Sequence, residues 1–91
     1  MLEETLVRKV SEYLEKIKLK PLNGSIEYLK LKKNVPQKDG TEKDMHVIGF
    51  LSNFNEENTD GIKGCSIYID AKTNDLSFIV TPYYMKDIEL L

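Results

Sequence analysis

Glu3-Glu4-Thr5-Leu6-Val7-Arg8-Lys9-Val10-Ser11-Glu12-Tyr13-Leu14-Glu15-Lys16-Ile17-Lys18-Leu19-Lys20 is the stretch on which the reading of the fold turns. Leu2, Leu6, Val10, Tyr13, Leu14 and Ile17 recur at steps of three and four, with Val7 beside them. That period belongs to a helix with one apolar face. Glu3 and Glu4 suit the positive end of its dipole, and Glu4–Arg8 and Glu12–Lys16 are favourably oriented pairs one turn apart. Pro21 cannot continue a helix, and Leu22-Asn23-Gly24 supplies a turn, so the spacing predicts an amphipathic helix from Glu3 to Lys20.

Beyond Gly24 the period shortens to two. Lys38-Asp39-Gly40-Thr41 puts an Asp-Gly turn between extended segments at 26–36 and 42–54. In the first segment Ile26 and Tyr28 oppose Leu29 and Leu31 in parity, which calls for a bulge or a short helix near 25–32. The segment 45–54 is apolar on both faces, with Met45, Val47 and Leu51 in one set and Ile48, Phe50 and Phe54 in the other. Such a strand is covered on both sides or bent at Gly49. A second turn, Asp70 to Asp75, places Asn74 where a left-handed residue is needed. With Ile67 set opposite Phe78, strict alternation sends Cys65, Ile67, Ile69, Leu76, Phe78 and Val80 towards the helix. Thr81-Pro82 reads as a helix cap and first turn. Tyr84, Ile88 and Leu91 would then share one face of a short helix, in competition with a strand extension through Met85.

The expected fold class is therefore α+β: one N-terminal amphipathic helix on a four-stranded antiparallel meander, with a short C-terminal helix or strand. The layout is similar in outline to cystatin-like and other single-helix-on-sheet folds, and no residue motif accompanies that likeness. At 91 residues, 41% hydrophobic and 31% charged, the whole of 1–91 reads as one domain, too apolar for disorder. No apolar run approaches a membrane span, residues 1–20 are charged throughout, unlike a signal peptide, and a lone Cys65 forms no internal disulfide. The expected compartment is a reducing cytoplasm. The bias to Lys (12, against the single Arg8) and the lack of Trp suit a bacterial or phage coding sequence.

Catalytic and metal constellations fail one by one. Glu56, Asn58, Asp60 and Gly61 take positions 1, 3, 5 and 6 of a calcium-loop spacing, but Ile67 stands where the bidentate Glu belongs. Cys65 and His46 are the only thiol–imidazole candidates. With Cys65 opposite Leu51–Asn53, roughly 17–23 Å of strand separates them, far beyond the ~3 Å a nucleophile and its base require. Cys65 thus reads as a small core residue and His46 as a rim residue. The five glycines are scattered through turns and one strand, so no phosphate-binding loop exists. No catalytic residue, metal ligand or cofactor is expected.

What remains is surplus apolar surface. One helix covers one sheet face, and alternation leaves Ile48, Phe50, Tyr68 and Ile79 on the other, joined by Tyr84. These five residues form the candidate partner interface. The expected function is a non-catalytic protein-interaction domain (inhibitor, immunity-type, antitoxin-like or accessory) that engages a protein partner or a second copy of itself. A ligand-sensing domain with a helix–sheet pocket is one alternative. Weak single-stranded nucleic-acid binding through Lys16, Lys18, Lys20, Lys30, Lys32 and Lys33 is another, disfavoured by the scarcity of Arg.

Overall fold

The computed structural model describes residues 2–53 and 61–88. Helix α1 (Leu2–Lys16) precedes β1 (Glu27–Pro36), β2 (Glu42–Asn53), β3 (Ile62–Asp70), β4 (Leu76–Val80) and β5 (Met85–Asp87). The strands form one antiparallel sheet in chain order. The α+β class holds, with five strands in the described sheet rather than four.

Leu6, Val10 and Leu14, one turn apart, are fully buried against the sheet. The helix ends at Lys16, four residues before the expected boundary at Lys20. Lys18 adopts φ 59°, the Leu19 amide donates to Leu14 O at 3.0 Å, and the Lys18 amide donates to Glu15 O at 3.2 Å. These paired bonds are a Schellman cap, which satisfies the last carbonyls and lets Leu19 pack back on the core. A left-handed conformation costs a residue with a Cβ about 1 kcal/mol. Lys18→Gly is accordingly expected to raise stability by roughly 0.5–1 kcal/mol, read as a higher urea midpoint.

Both turns form as their chemistry dictates. Gly40 takes φ 87° while Asp39 Oδ1 accepts from the Thr41 amide and hydroxyl at 3.0 and 2.6 Å. Asn74 takes φ 63°, and its amide closes onto Asp70 O at 2.7 Å. The parity conflict in the first hairpin resolves as bulges: the register of β1 on β2 slips at Leu29 and again across Lys33 and Asn34.

One bulge overturns an expected face. Ile69 pairs with Leu76 but Tyr68 pairs with Phe78, so Ser77 is the extra residue. Ile67 consequently sits opposite Ile79, not Phe78. An inserted residue flips every side chain beyond it. Leu76 stays inward, whereas Phe78 and Val80 turn outward and Ile79 becomes a core residue with 0% exposure.

The chain end also departs from a helix. Thr81 Oγ1 accepts from the amides of Tyr83 and Tyr84 at 3.2 and 3.1 Å. The cap chemistry is therefore present, but the Thr81 amide donates to Tyr84 O at 2.8 Å and closes a tight turn into β5. The strand alternative is the one realised, and it returns Ile88 to the helix-side core. Leu91, the last residue of the expected helix face, lies outside the described residues.

Part of the side of the sheet away from α1 is covered by the sheet itself. Val35, Met45 and Val47 are buried there, Met45 completely. The tip of the β1–β2 hairpin reaches across: Lys38 Nζ meets Asp87 Oδ2 of β5 at 2.6 Å, and Gln37 Nε2 lies 3.6 Å from Met45 Sδ. The two bulges in β1 allow this curl. Lys43 pairs with Asp70 at 3.2 Å beneath it. Burial works against the Asp70 carboxylate, but the Lys72 amide and the Lys43 ammonium outweigh burial and hold its pKa below the usual value. A carboxyl with a depressed folded-state pKa adds stability above its unfolded pKa of about 3.9 and loses it as pH falls through the folded value. Wild type should lose stability faster than Asp70→Asn as pH drops below about 4, a comparison that thermal melts at several pH values make directly.

Candidate functional site

The cross-strand rows decide what each face presents. Tyr28, Ile48, Ile67 and Ile79 make one helix-side row; Leu31, His46, Ile69 and Leu76 make the next, and Phe50 pairs with Cys65. The opposite face reads Lys30–Val47–Tyr68–Phe78–Asp87 in one row and Glu27–Gly49–Ser66–Val80–Met85 in its neighbour. Leu51 opposite Gly64 follows.

The five residues of the expected interface are therefore not one surface. Ile48, Phe50 and Ile79 belong to the core beneath α1, because the rows that contain them lie on the helix side. Tyr68 alone lies on the outer face, half-buried, with its ring stacked on Phe78 at 4.5 Å and 15°. Tyr84 is exposed in the β4–β5 turn. It stands near Tyr13 of the helix, whose pKa rises through burial first and the charge of Tyr84 second.

A concavity opens on the outer face, and of the five expected residues only Phe50 contributes to its lining. Leu29, displaced by the first bulge, lies across Gly49 so closely that a Cβ there would fall 2.7 Å from Leu29 Cδ1. Gly64 leaves the neighbouring position open beside Leu51. The result is a groove of about 430 Å³ lined by Leu29, Leu51, Gly49, Gly64, Ser66 and Glu27. Its walls are apolar and accessible, Leu29 at 49% and Leu51 at 44% exposure.

The groove is held in shape by backbone bonding. The Leu22 amide donates to Leu51 O at 2.7 Å, and the Leu51 amide donates to Ser25 Oγ at 3.2 Å. Ser52, buried one residue on, donates from Oγ to Lys20 O at 2.8 Å. The segment leaving the helix is thus stitched along β2, and Gly24 and Ser25 close one end of the groove. Sequence reading overlooked this site because Leu29 and Leu51 were assigned to faces, not to a depression. The available signal was glycine at the interior of two adjacent strands, which removes side chains where others would stand.

The chemistry of the remaining candidates is quiet. His46 is buried rather than at a rim, and its Nδ1 shares a 2.8 Å hydrogen bond with the Tyr28 hydroxyl. Burial and then the charge of Glu3 push the Tyr28 pKa up. Cys65 lies opposite Phe50, four residues along from His46, or about 13 Å. Its thiol is pushed up by burial, so it is not a poised nucleophile. Among the described residues no three His, Cys, Asp or Glu side chains converge as metal ligands. Glu56, Asn58 and Asp60 of the calcium-like spacing lie outside the described residues.

The lysine series is divided. Lys16, Lys18 and Lys20 end the helix and its exit segment, while Lys30 and Lys32 pair with Val47 and Met45 on the far face of the sheet. Among the described residues no helix is long and apolar enough to cross a membrane. Comparison with protein-family models, curated proteins and solved structures yields no match.

Proposed function

We propose that this chain is a non-catalytic binding domain that receives a protein partner in the outer-face groove. The observation that carries the reading is the pair of half-exposed leucines, Leu29 and Leu51, standing over a glycine floor in a concavity of about 430 Å³. A monomeric domain gains nothing by leaving two aliphatic side chains in water around a preformed depression, whereas a binding surface does. The walls are backed by backbone hydrogen bonds, so little ordering would be lost on binding. Roles of this kind include inhibitors, immunity-type and accessory proteins. The ligand-sensing alternative placed its pocket between helix and sheet, where Leu6, Val10 and Leu14 are fully buried; both described clefts open on the other face.

Selection of a displayed random-peptide library on the folded protein tests the reading. Enriched peptides should bind wild type at least tenfold more tightly than the Leu29→Asp/Leu51→Asp double variant, a loss of about 1.4 kcal/mol. Both positions are half-exposed, so the variant should retain its far-ultraviolet circular dichroism. Enriched peptides that bind the folded double variant equally well would remove the groove as the site.

A further inference from the structure

We infer that the groove is the anchor point of a surface for an extended acidic peptide: an apolar side chain enters between Leu29 and Leu51, and carboxylates that follow it meet Lys30 and Lys32. The inference rests on the proposed binding role and names the class of partner.

Charge complementarity supplies the occupant. The chain carries a net charge of −2, yet the strand that forms one wall of the groove bears Lys30, Lys32 and Lys33 against Glu27. The other lysines of this face are neutralised, Lys38 by Asp87 and Lys43 by Asp70. Lys30, Lys32 and Lys33 have no carboxylate partner among the described residues, and Lys32 Nζ rests 6.0 Å from the centre of the Tyr68 ring. A local excess of exposed positive charge on an acidic protein selects an acidic partner.

Spacing supports the same occupant. Lys30 lies opposite Val47 and Lys32 opposite Met45, two and four residues along β2 from Gly49. At ~3.3 Å per residue those levels stand about 7 and 13 Å from the groove floor. An extended peptide laid along the exposed edge of β1 has the same repeat, so acids two and four residues from the anchor fall level with the two ammonium groups.

Nucleic acid fits less well. Tyr68 and Phe78 stack on each other and Lys32 sits against Tyr68, so Tyr68 offers no free platform for a base, and the groove walls are aliphatic. A second copy docked symmetrically would bring the same lysines together.

The test is amide chemical-shift mapping of the labelled full chain with the heptapeptide Ser-Leu-Ser-Glu-Ser-Glu-Ser. Saturable shifts are expected at Gly49, Gly64 and Ser66 and along β1. Replacing the leucine by serine, or both glutamates by lysine, should weaken binding about fivefold or more, as should Lys30→Glu/Lys32→Glu. The inference is overturned by an absence of shifts at millimolar peptide, by equal binding of the lysine peptide, by dodecameric oligothymidylate binding at this face more tightly than the heptapeptide, or by groove-dependent dimerisation in sedimentation. Display-selected peptides that need Leu29 and Leu51 but lack acids would overturn it too while leaving the binding role intact. Peptides that ignore the groove would remove both.

Discussion

Ile79→Asp is expected to leave the protein unfolded in buffer at 25 °C, whereas Val80→Asp, one residue further on, should keep the folded circular dichroism spectrum and a cooperative urea transition. Ile79 is fully buried beside Ile67 in the core that includes Leu6, Val10 and Leu14 of the helix, and its partner on β5, Lys86, is exposed to water. A carboxyl group buried there costs several kcal/mol, whether it neutralises or draws the exposed Lys86 ammonium out of water. A domain of this size has roughly 5–15 kcal/mol of stability in total, and the lost isoleucine packing removes about 2–5 kcal/mol more. Val80 is only half-buried and lies on the outer face opposite Ser66, where a carboxylate keeps contact with water. The two variants invert if the strands pair without the bulge at Ser77. A folded Ile79→Asp beside an unfolded Val80→Asp would therefore show the register to be the alternating one.

Met45→Ala should cost about 2–4 kcal/mol, measured from urea denaturation. Met45 lies on the side of the sheet that no helix covers, and a residue on an open face would lose less than about 1 kcal/mol on truncation. The larger cost is expected because Met45 is fully buried beneath Gln37 and beside Val35 on the curled hairpin. Lys38→Ala, which removes the ion pair to Asp87, should change stability by less than about 1 kcal/mol, since both partners are largely exposed. The contrast separates two ways of holding the hairpin tip in place. A small effect of Met45→Ala with a large effect of Lys38→Ala would mean that charge, not packing, closes this face.

Features whose cause is local were legible from residues alone. The helix followed from Leu6, Val10 and Leu14 at one-turn spacing. The turns followed from Gly40 and Asn74, the residue types that tolerate positive φ. The parity conflict at Tyr28 and Leu29 announced a bulge where β1 has one. The early end of the helix was less visible, because Lys18 is a poor advertisement for a left-handed cap and Pro21 drew attention to a later stop.

The candidate site was legible only in kind. Surplus apolar surface on the sheet was expected, and it exists, but at Leu29 and Leu51 rather than at Ile48, Phe50 and Ile79. Nothing local in Leu76-Ser77-Phe78-Ile79-Val80 marks Ser77 as the inserted residue. The insertion settles in the tertiary fold, which seats Ile79 under the helix and stacks Phe78 on Tyr68, two contacts that the alternating register would not make together.

The N-terminal helix, the first four strands and the two hairpin turns were determined by the sequence through backbone preferences and short-range periodicity, whereas the choice of strand for β5 was not. Which side chains face the helix, which lie under the curled hairpin and which line the groove were decided by the tertiary structure. Strand periodicity is two, so a single bulge exchanges the faces. Long-range packing across the sheet, not the local sequence, sets where that bulge falls.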